Sequence, residues 1–188
     1  GDAPAGNKAA AVELLPGGKW QYANIGYVVI QQLLEDVMGK PLEQIARERV
    51  FAPLKMASST FVYPLSAERQ KNEALPHDEQ GAPGAPGMHP AALAQGGLMT
   101  TPSDLARFAC ELLYAYGGRT GGLLAPATVR LMLNKEADLD PRLFGFPVAE
   151  GLGVFITGKG RCLSFSHPGH NYPGATSWLL AYPDLGQG

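Results

Sequence analysis

Two short groups of polar residues have side chains suited to proton transfer and carbonyl binding. Tyr22 and Asn24 form the triplet YAN directly before an apolar stretch, and the segment HPGH at 167–170 lies near the C-terminal end. A tyrosine hydroxyl or an imidazole can move a proton when its pKa suits the task, and an asparagine amide can donate to a carbonyl oxygen. The first group also has a simpler explanation, in which Asn24 is a helix N-cap and Tyr22 a half-buried aromatic.

The spacing of His167 and His170 also raises the question of a metal site. Two histidines three apart on a helix could both bind one ion. The proline and glycine between them exclude a helix, and no neighbouring carboxylate completes a ligand set. His77 and His89 fall in a polar loop and are expected to be solvated. With no H-E-x-x-H, P-loop or G-x-G-x-x-G motif, we predict no metal and no cofactor. A small metal-dependent hydrolase stays an alternative.

Composition fixes only the broad class. The chain has 188 residues, of which 45% are hydrophobic and 17% charged, as in globular proteins. The net charge of -2 gives no electrostatic reason to expect nucleic acid or an anionic membrane as partner. Cys110 and Cys162 fit neither a metal pattern nor a disulfide framework, so we expect two buried thiols rather than a bridge.

Apolar periodicity predicts four helices. The first has apolar residues on one side, which are expected to be buried, and a stop at Gly39-Lys40-Pro41. The third has the clearest start, because Thr101-Pro102-Ser103-Asp104 supplies a cap, a proline at the first position and an acid in the first turn. The predicted spans are approximately 24–38, 41–52, 102–116 and 126–133.

The C-terminal part has the pattern of an antiparallel meander. The segments GLGVFIT, RCLSFSH and ATSWLLAYP are short and separated by glycine and proline, and Gly158-Lys159-Gly160 predicts a hairpin. Helices followed by such strands indicate an α+β fold. We predict a mostly helical region at 1–140, with a Pro/Gly-rich surface loop at 75–90, and the meander at 141–188, both within one domain.

The order of several motifs resembles the serine β-lactamase and penicillin-binding-protein-like superfamily, in the branch of class C β-lactamases, D-aminopeptidases and carboxylesterases. YAN alone is a weak signal, but the whole series at these distances is a strong one. The resemblance covers about residues 15–186 and implies a two-domain β-lactamase-like fold, incomplete at both ends. The motifs are PGGKWQYANIGY, RVFAPLKMASSTF, AQGGLMTTPSDLARFACELL, LGVFITG and FSHPGHNYPGATSWLLAYPDLG.

The resemblance implies a role for each polar residue of the two groups. Tyr22 would help to move the proton of a nucleophilic serine, and Asn24 would orient that site and donate to the substrate carbonyl. His167 would add polar or cationic character near Tyr22. Gly169 would let the substrate lie close to the backbone, and the His170 N–H would be a donor of the oxyanion hole.

Two departures from the family pattern qualify this assignment. Pro168 replaces a residue that carries a hydroxyl in many relatives, which favours an esterase or peptidase over a β-lactamase. The S-x-x-K box is absent, because none of the seven serines is followed by lysine three positions later. The resemblance therefore places the nucleophile outside this chain, and we expect the chain alone to be inactive until a complementing chain, fragment or missing segment supplies it.

The sequence thus predicts part of a serine hydrolase that cleaves an ester, amide or β-lactam bond of a small molecule through a serine acyl-enzyme. Relatives are often exported, so the resemblance implies a periplasmic or secreted protein. A non-catalytic β-lactamase-like binding or scaffold protein stays the main alternative.

Overall fold

A computed structural model describes residues 11–12, 14–15, 17–84, 93–171 and 174–188. The described residues divide between two compact units: unit 1 lies within 1–45, 61–98 and 169–177, and unit 2 within 46–60, 99–168 and 178–188. The helices are α1 (Asn24–Met38), α2 (Leu42–Ala46), a π-helix (Arg47–Phe51), α3 (Ala67–Gln70), a first 3₁₀ turn (Leu93–Gln95), α4 (Pro102–Tyr116), α5 (Pro126–Met132), α6 (Pro141–Phe144) and a second 3₁₀ turn (Gly160–Cys162). The strands are β1 (Ala137–Asp138), β2 (Ala149–Glu150), β3 (Phe155–Thr157), β4 (Ser164–Asn171) and β5 (Ala175–Ala181).

Helix α1 in unit 1 has the predicted bounds but not the predicted burial. It ends at Gly39, whose φ of 62° is left-handed and whose N–H donates to the Glu35 carbonyl. No residue of α1 is buried, so the expectation of a buried helix is wrong. Within unit 1, α1 packs against the first 3₁₀ turn, and its apolar stripe remains exposed. The exposed residues of the stripe include Ile25, Val29, Leu33 and Val37.

Unit 2 contains the hydrophobic core. Helix α4 starts as predicted, with the Asp104 N–H donating to the Thr101 hydroxyl at 3.3 Å and Pro102 at the first position. Its apolar side packs with α5 and the sheet, and Leu112, Val129 and Phe165 are almost completely buried. The predicted helix at 126–133 is confirmed as α5, one residue shorter.

The predicted helix at 41–52 is divided into two segments. It comprises α2 followed by the π-helix, in which the Ala52 N–H donates to the carbonyl of Arg47 five residues earlier. The helical segment ends before Pro53 as predicted. No helix in the described part of the chain is long and apolar enough to cross a membrane.

The five strands form one sheet in the order β1-β2-β3-β4-β5, which confirms the meander and the α+β class. Strands β3 and β4 pair antiparallel, with Ile156 opposite Phe165. At the hairpin, a Cβ on Gly158 would lie 2.0 Å from the Cys162 carbonyl oxygen, so only glycine fits. The two-residue strands β1 and β2 are too short to give an alternating pattern and were missed. The division of the chain at residues 140 and 141 stays a prediction.

The cysteines are free, as predicted, but the expected burial is wrong, because both are exposed. On α4 the buried side contains Ala109, Leu112 and Ala115, and Cys110 lies on the opposite, exposed side of the helix. Cys162 lies in the second 3₁₀ turn between β3 and β4, not on a strand.

Candidate active site

Tyr22 and Asn24 lie in unit 1, at the start of α1. Tyr22 is in the extended segment before the helix and is 46% exposed, with its ring centroid 6.5 Å from that of Trp20. Asn24 is the first helical residue, while the N-cap is Ala23 and no side chain caps the helix. The explanation of Asn24 as an N-cap is therefore wrong. Capping of α1 therefore does not explain why an asparagine stands at position 24.

The residues of the second group lie on β4. Successive side chains of a strand point to opposite faces, so His167 and Gly169 share one face and His170 faces the other. The two histidines therefore cannot bind one ion from the same strand. In the described ranges there is no group of three or more His, Cys, Asp or Glu residues that could hold a metal.

Pro168 is compatible with its position in the sheet. Proline removes a backbone donor and is tolerated where the strand ladder does not need one. The pairing of β4 with β3 ends at Ser166, which is opposite Phe155, two residues before the proline. Pro168 therefore removes no hydrogen bond from the described pairing of β3 with β4.

The imidazole of His167, in unit 2, stacks on an aromatic ring. Its centroid is 5.5 Å from that of Phe155, with 25° between the planes, and Phe155 in turn contacts Phe144 at 5.5 Å. Phe155 is buried, so the ring that supports the histidine is itself held by the core. Sequence reasoning missed this support, and no motif pairs a phenylalanine with a histidine at this separation.

Gly169 and Gly174 make close approaches within unit 1 that other residues would prevent. A Cβ on Gly169 would lie 2.4 Å from the hydroxyl of Ser177 on β5. A Cβ on Gly174, which has a φ of +112°, would lie 1.8 Å from the His77 carbonyl oxygen. His77, in the described part of the predicted surface loop (75–84), therefore lies against Gly174. Residues 85–90 of that loop, with His89, are outside the described residues.

Side-chain hydrogen bonds tie the residues at 93–96 to their neighbours in unit 1. The Ala94 N–H, in the first 3₁₀ turn, donates to Gln31 Oε1 on α1 at 3.1 Å. Asn171 Nδ2, at the end of β4, donates to the Gly96 carbonyl oxygen at 3.2 Å. Four of the five predicted site residues, Tyr22, Asn24, Gly169 and His170, belong to this unit, and His167 belongs to unit 2. Sequence reasoning singled out neither Gln31 nor Asn171.

A family model described as Beta-lactamase matches residues 4–187. A curated relative, the D-alanyl-D-alanine-carboxypeptidase/endopeptidase AmpH of Escherichia coli (strain K12), is 28% identical over 104 residues, which are 55% of this chain and 26% of the relative. The chain thus matches about a quarter of the length of that relative.

Solved structures show the same fold at low identity. The octameric penicillin-binding protein homologue from Pyrococcus abyssi superposes with a TM-score of 0.70 at 23% identity, covering 90% of this chain and 37% of that one. A beta-lactamase/D-alanine carboxypeptidase from Pseudomonas syringae gives a TM-score of 0.73 at 15% identity, covering 95% of this chain and 55% of that one. These likenesses confirm the β-lactamase-like fold predicted from the sequence.

Proposed function

Because the chain belongs to the beta-lactamase family, whose members are serine hydrolases, we propose that it is part of such an enzyme. The enzyme would cleave an ester, amide or β-lactam bond through a serine acyl-enzyme. The observation that carries the proposal is the family match over residues 4–187, which includes both the Tyr-x-Asn triplet and the His-x-Gly segment of β4.

The nucleophile of this proposed enzyme lies outside the chain. The chain contains no S-x-x-K sequence, and it matches only 26% of the carboxypeptidase relative. A further segment of the same polypeptide, or a complementing chain, would supply the serine. The exposed apolar stripe of α1 supports this part of the proposal, because a contiguous apolar surface on a helix is usually covered by another element.

The proposed residue roles follow the chemistry of acyl transfer. The serine oxygen attacks the substrate carbonyl carbon, and its proton passes to Tyr22 and then to the leaving group. Asn24 donates to the substrate carbonyl, while the His170 N–H donates to the oxygen as it gains charge. His167, whose ring stacks on Phe155, supplies a polar or cationic group to the reaction. Water then attacks the acyl carbon, releases the acid and regenerates the serine.

The proposal extends to the substrate class and the location of the protein. Pro168 offers no hydroxyl for a substrate carboxylate, which favours an ester or peptide bond over a β-lactam. The carboxypeptidase/endopeptidase activity in the name of the relative supports a peptide as the substrate. We extend the proposal to a periplasmic or secreted protein.

The test uses the complete polypeptide, meaning the product of the whole reading frame that contains this chain. Pre-steady-state hydrolysis of p-nitrophenyl acetate, nitrocefin and a D-alanyl-D-alanine peptide is measured for wild type and Tyr22→Phe. We expect an acylation burst with at least one substrate, and a loss of about 10²- to 10⁴-fold in Tyr22→Phe, as for a general acid–base group. Tyr114→Phe, an exposed tyrosine of unit 2, is the matched control and should keep the wild-type rate.

Three results would contradict the proposal. Wild type that neither acylates with nor hydrolyses any of the substrates would support the non-catalytic scaffold. An unchanged rate in Tyr22→Phe would remove the tyrosine from the mechanism. Hydrolysis abolished by a chelator and restored by a divalent metal would support a metal-dependent hydrolase instead.

A further inference from the structure

The side chain of Gln31 bridges α1 and two neighbouring elements in unit 1. Its Oε1 accepts from the Ala94 N–H at 3.1 Å, and its Nε2 donates to Glu35 Oε1 at 3.2 Å. The same carboxylate oxygen accepts from the N–H of Leu42, the first residue of α2, at 2.8 Å. The amide orientation is determined by both partners, because the flipped amide would place two donors together at Ala94 and two acceptors together at Glu35.

The other side of the first 3₁₀ turn is tied to β4. Asn171 Nδ2 donates to the Gly96 carbonyl oxygen at 3.2 Å. Gly96 has a φ of +145°, and a Cβ there would lie 3.2 Å from Asn171 Oδ1, so a glycine allows this approach. The turn at 93–96 is therefore held from both sides, by a glutamine of α1 and by an asparagine of β4. We call this path, from Gln31 through the turn to Asn171, the amide link.

Each end of the amide link is close along the chain to a proposed active-site residue. Gln31 follows Asn24 by seven residues of the same helix, roughly two turns or about 10 Å, and a helix transmits position over that length with little bending. Asn171 is the neighbour of His170 on β4. The link thus joins the element that carries Tyr22 and Asn24 to the strand position of the proposed oxyanion donor.

We propose that Gln31 and Asn171 are positioning residues that hold the start of α1 and the end of β4 at a fixed separation through the turn at 93–96. This inference rests on the proposed function. Acyl transfer needs the carbonyl-binding donors in register with each other, and a displacement of about 1 Å can cost about 100-fold in rate. The two hydrogen bonds act in series, so the loss of either one releases the same constraint.

The experiment measures single-turnover acylation of the complete polypeptide by p-nitrophenyl acetate, which separates the acylation rate from substrate affinity. Gln31→Leu removes both amide contacts at similar volume. Gln32→Leu is the matched control, because Gln32 also makes an i,i+4 bond, to Asp36 at 2.8 Å, but has no bond to the turn. Asn171→Asp replaces the donor by a carboxylate facing the Gly96 carbonyl oxygen.

We expect Gln31→Leu and Asn171→Asp each to lower the acylation rate about tenfold, with affinity changed less than about twofold, and Gln32→Leu to match wild type. The double variant Gln31→Leu/Asn171→Asp should also lose about tenfold, because bonds in series are not additive. A structural defect alone would lower the folded fraction without this pattern. Ala94→Pro removes the same N–H donor from the other side and should reproduce the Gln31→Leu loss, even if the leucine variant folds poorly.

The outcomes separate the inference from the proposed function. A wild-type protein that forms no acyl-enzyme overturns the proposed function and the inference with it. An active wild type with both single variants within about twofold overturns the inference alone. An approximately 100-fold loss in the double variant also overturns it, because independent contributions would then multiply.

Discussion

Among the buried acids in the described part of unit 2, Asp104 accepts the most hydrogen bonds. Its removal therefore tests how the start of α4 is held in place. It is 2% exposed. Its Oδ2 accepts from the Ser58 N–H at 2.7 Å and from the Ser59 hydroxyl at 3.0 Å, and its Oδ1 accepts from Arg107 at 2.6 Å. The bonds from Ser58 and Ser59 fasten the first turn of α4 to that segment, while the Arg107 bond lies within the helix.

The expected loss for Asp104→Ala is about 3 kcal/mol. A hydrogen bond to a charged group contributes about 1.5–3 kcal/mol to the free energy of unfolding. We assign about 2 kcal/mol to the bond from the Ser58 N–H. The Ser59 hydroxyl keeps a second partner, the Thr100 hydroxyl at 2.7 Å, so its bond is assigned the lower value of about 1.5. The ion pair with Arg107 adds less than about 1 kcal/mol, because the arginine side chain is half exposed. Relief of the buried charge offsets part of the sum.

Urea unfolding of the complete polypeptide, followed by circular dichroism, measures the free energy of unfolding. Arg107→Gln is the control and should cost less than about 1 kcal/mol, because it removes only the half-exposed partner. The account of Asp104 is refuted if Asp104→Ala loses less than about 1 kcal/mol, or if Arg107→Gln loses as much as the alanine variant.

Three further predictions concern packing, backbone approach and pH. Leu112→Ala leaves a cavity at a fully buried position and should lower the free energy of unfolding by about 2–5 kcal/mol. A loss below about 1 kcal/mol in urea unfolding would contradict the burial of Leu112 in the core. Gly174→Ala should displace the loop at 75–84, since its Cβ would meet the His77 carbonyl oxygen, and faster amide exchange there would show it; unchanged exchange would argue against the contact. The hydrogen bonds from Arg142 lower the pKa of the Asp140 carboxyl, so the pair stabilises the fold above the ordinary carboxyl pKa and loses that effect as the pH falls through the lowered value. The Tm difference between wild type and Asp140→Asn should thus be present at neutral pH and vanish in acid, and a difference independent of pH would contradict the pairing.

The helices with strong local signals were predictable from sequence. Gly39 and the Thr101 cap fix the ends of α1 and α4 through contacts within a few residues, so the local pattern contains the information. The burial of α1 was not predictable, because an amphipathic pattern specifies an apolar face but not what covers it. The exposure of Cys110 likewise depends on how α4 is rotated against its neighbours, which no local signal states.

Motif order was enough to single out candidate site residues, but it gave no information about their tertiary contacts. Tyr22, Asn24 and the residues of β4 were singled out because the motifs occur at family distances. The amide link joins Gln31 to Ala94 across 63 positions and Asn171 to Gly96 across 75, and glutamine and asparagine are common surface residues. The support of His167 by Phe155 also depends on how the hairpin brings two rings together.

The central claim is that this chain carries part of a serine hydrolase whose nucleophile lies elsewhere. The most direct test treats the purified complete polypeptide with a fluorophosphonate, measures its denatured intact mass, and maps the adduct by peptide sequencing. The account predicts one adduct, on the serine of an S-x-x-K sequence outside residues 1–188. An adduct on one of the seven serines of this chain, or no adduct on a protein that still hydrolyses its substrate, would contradict it.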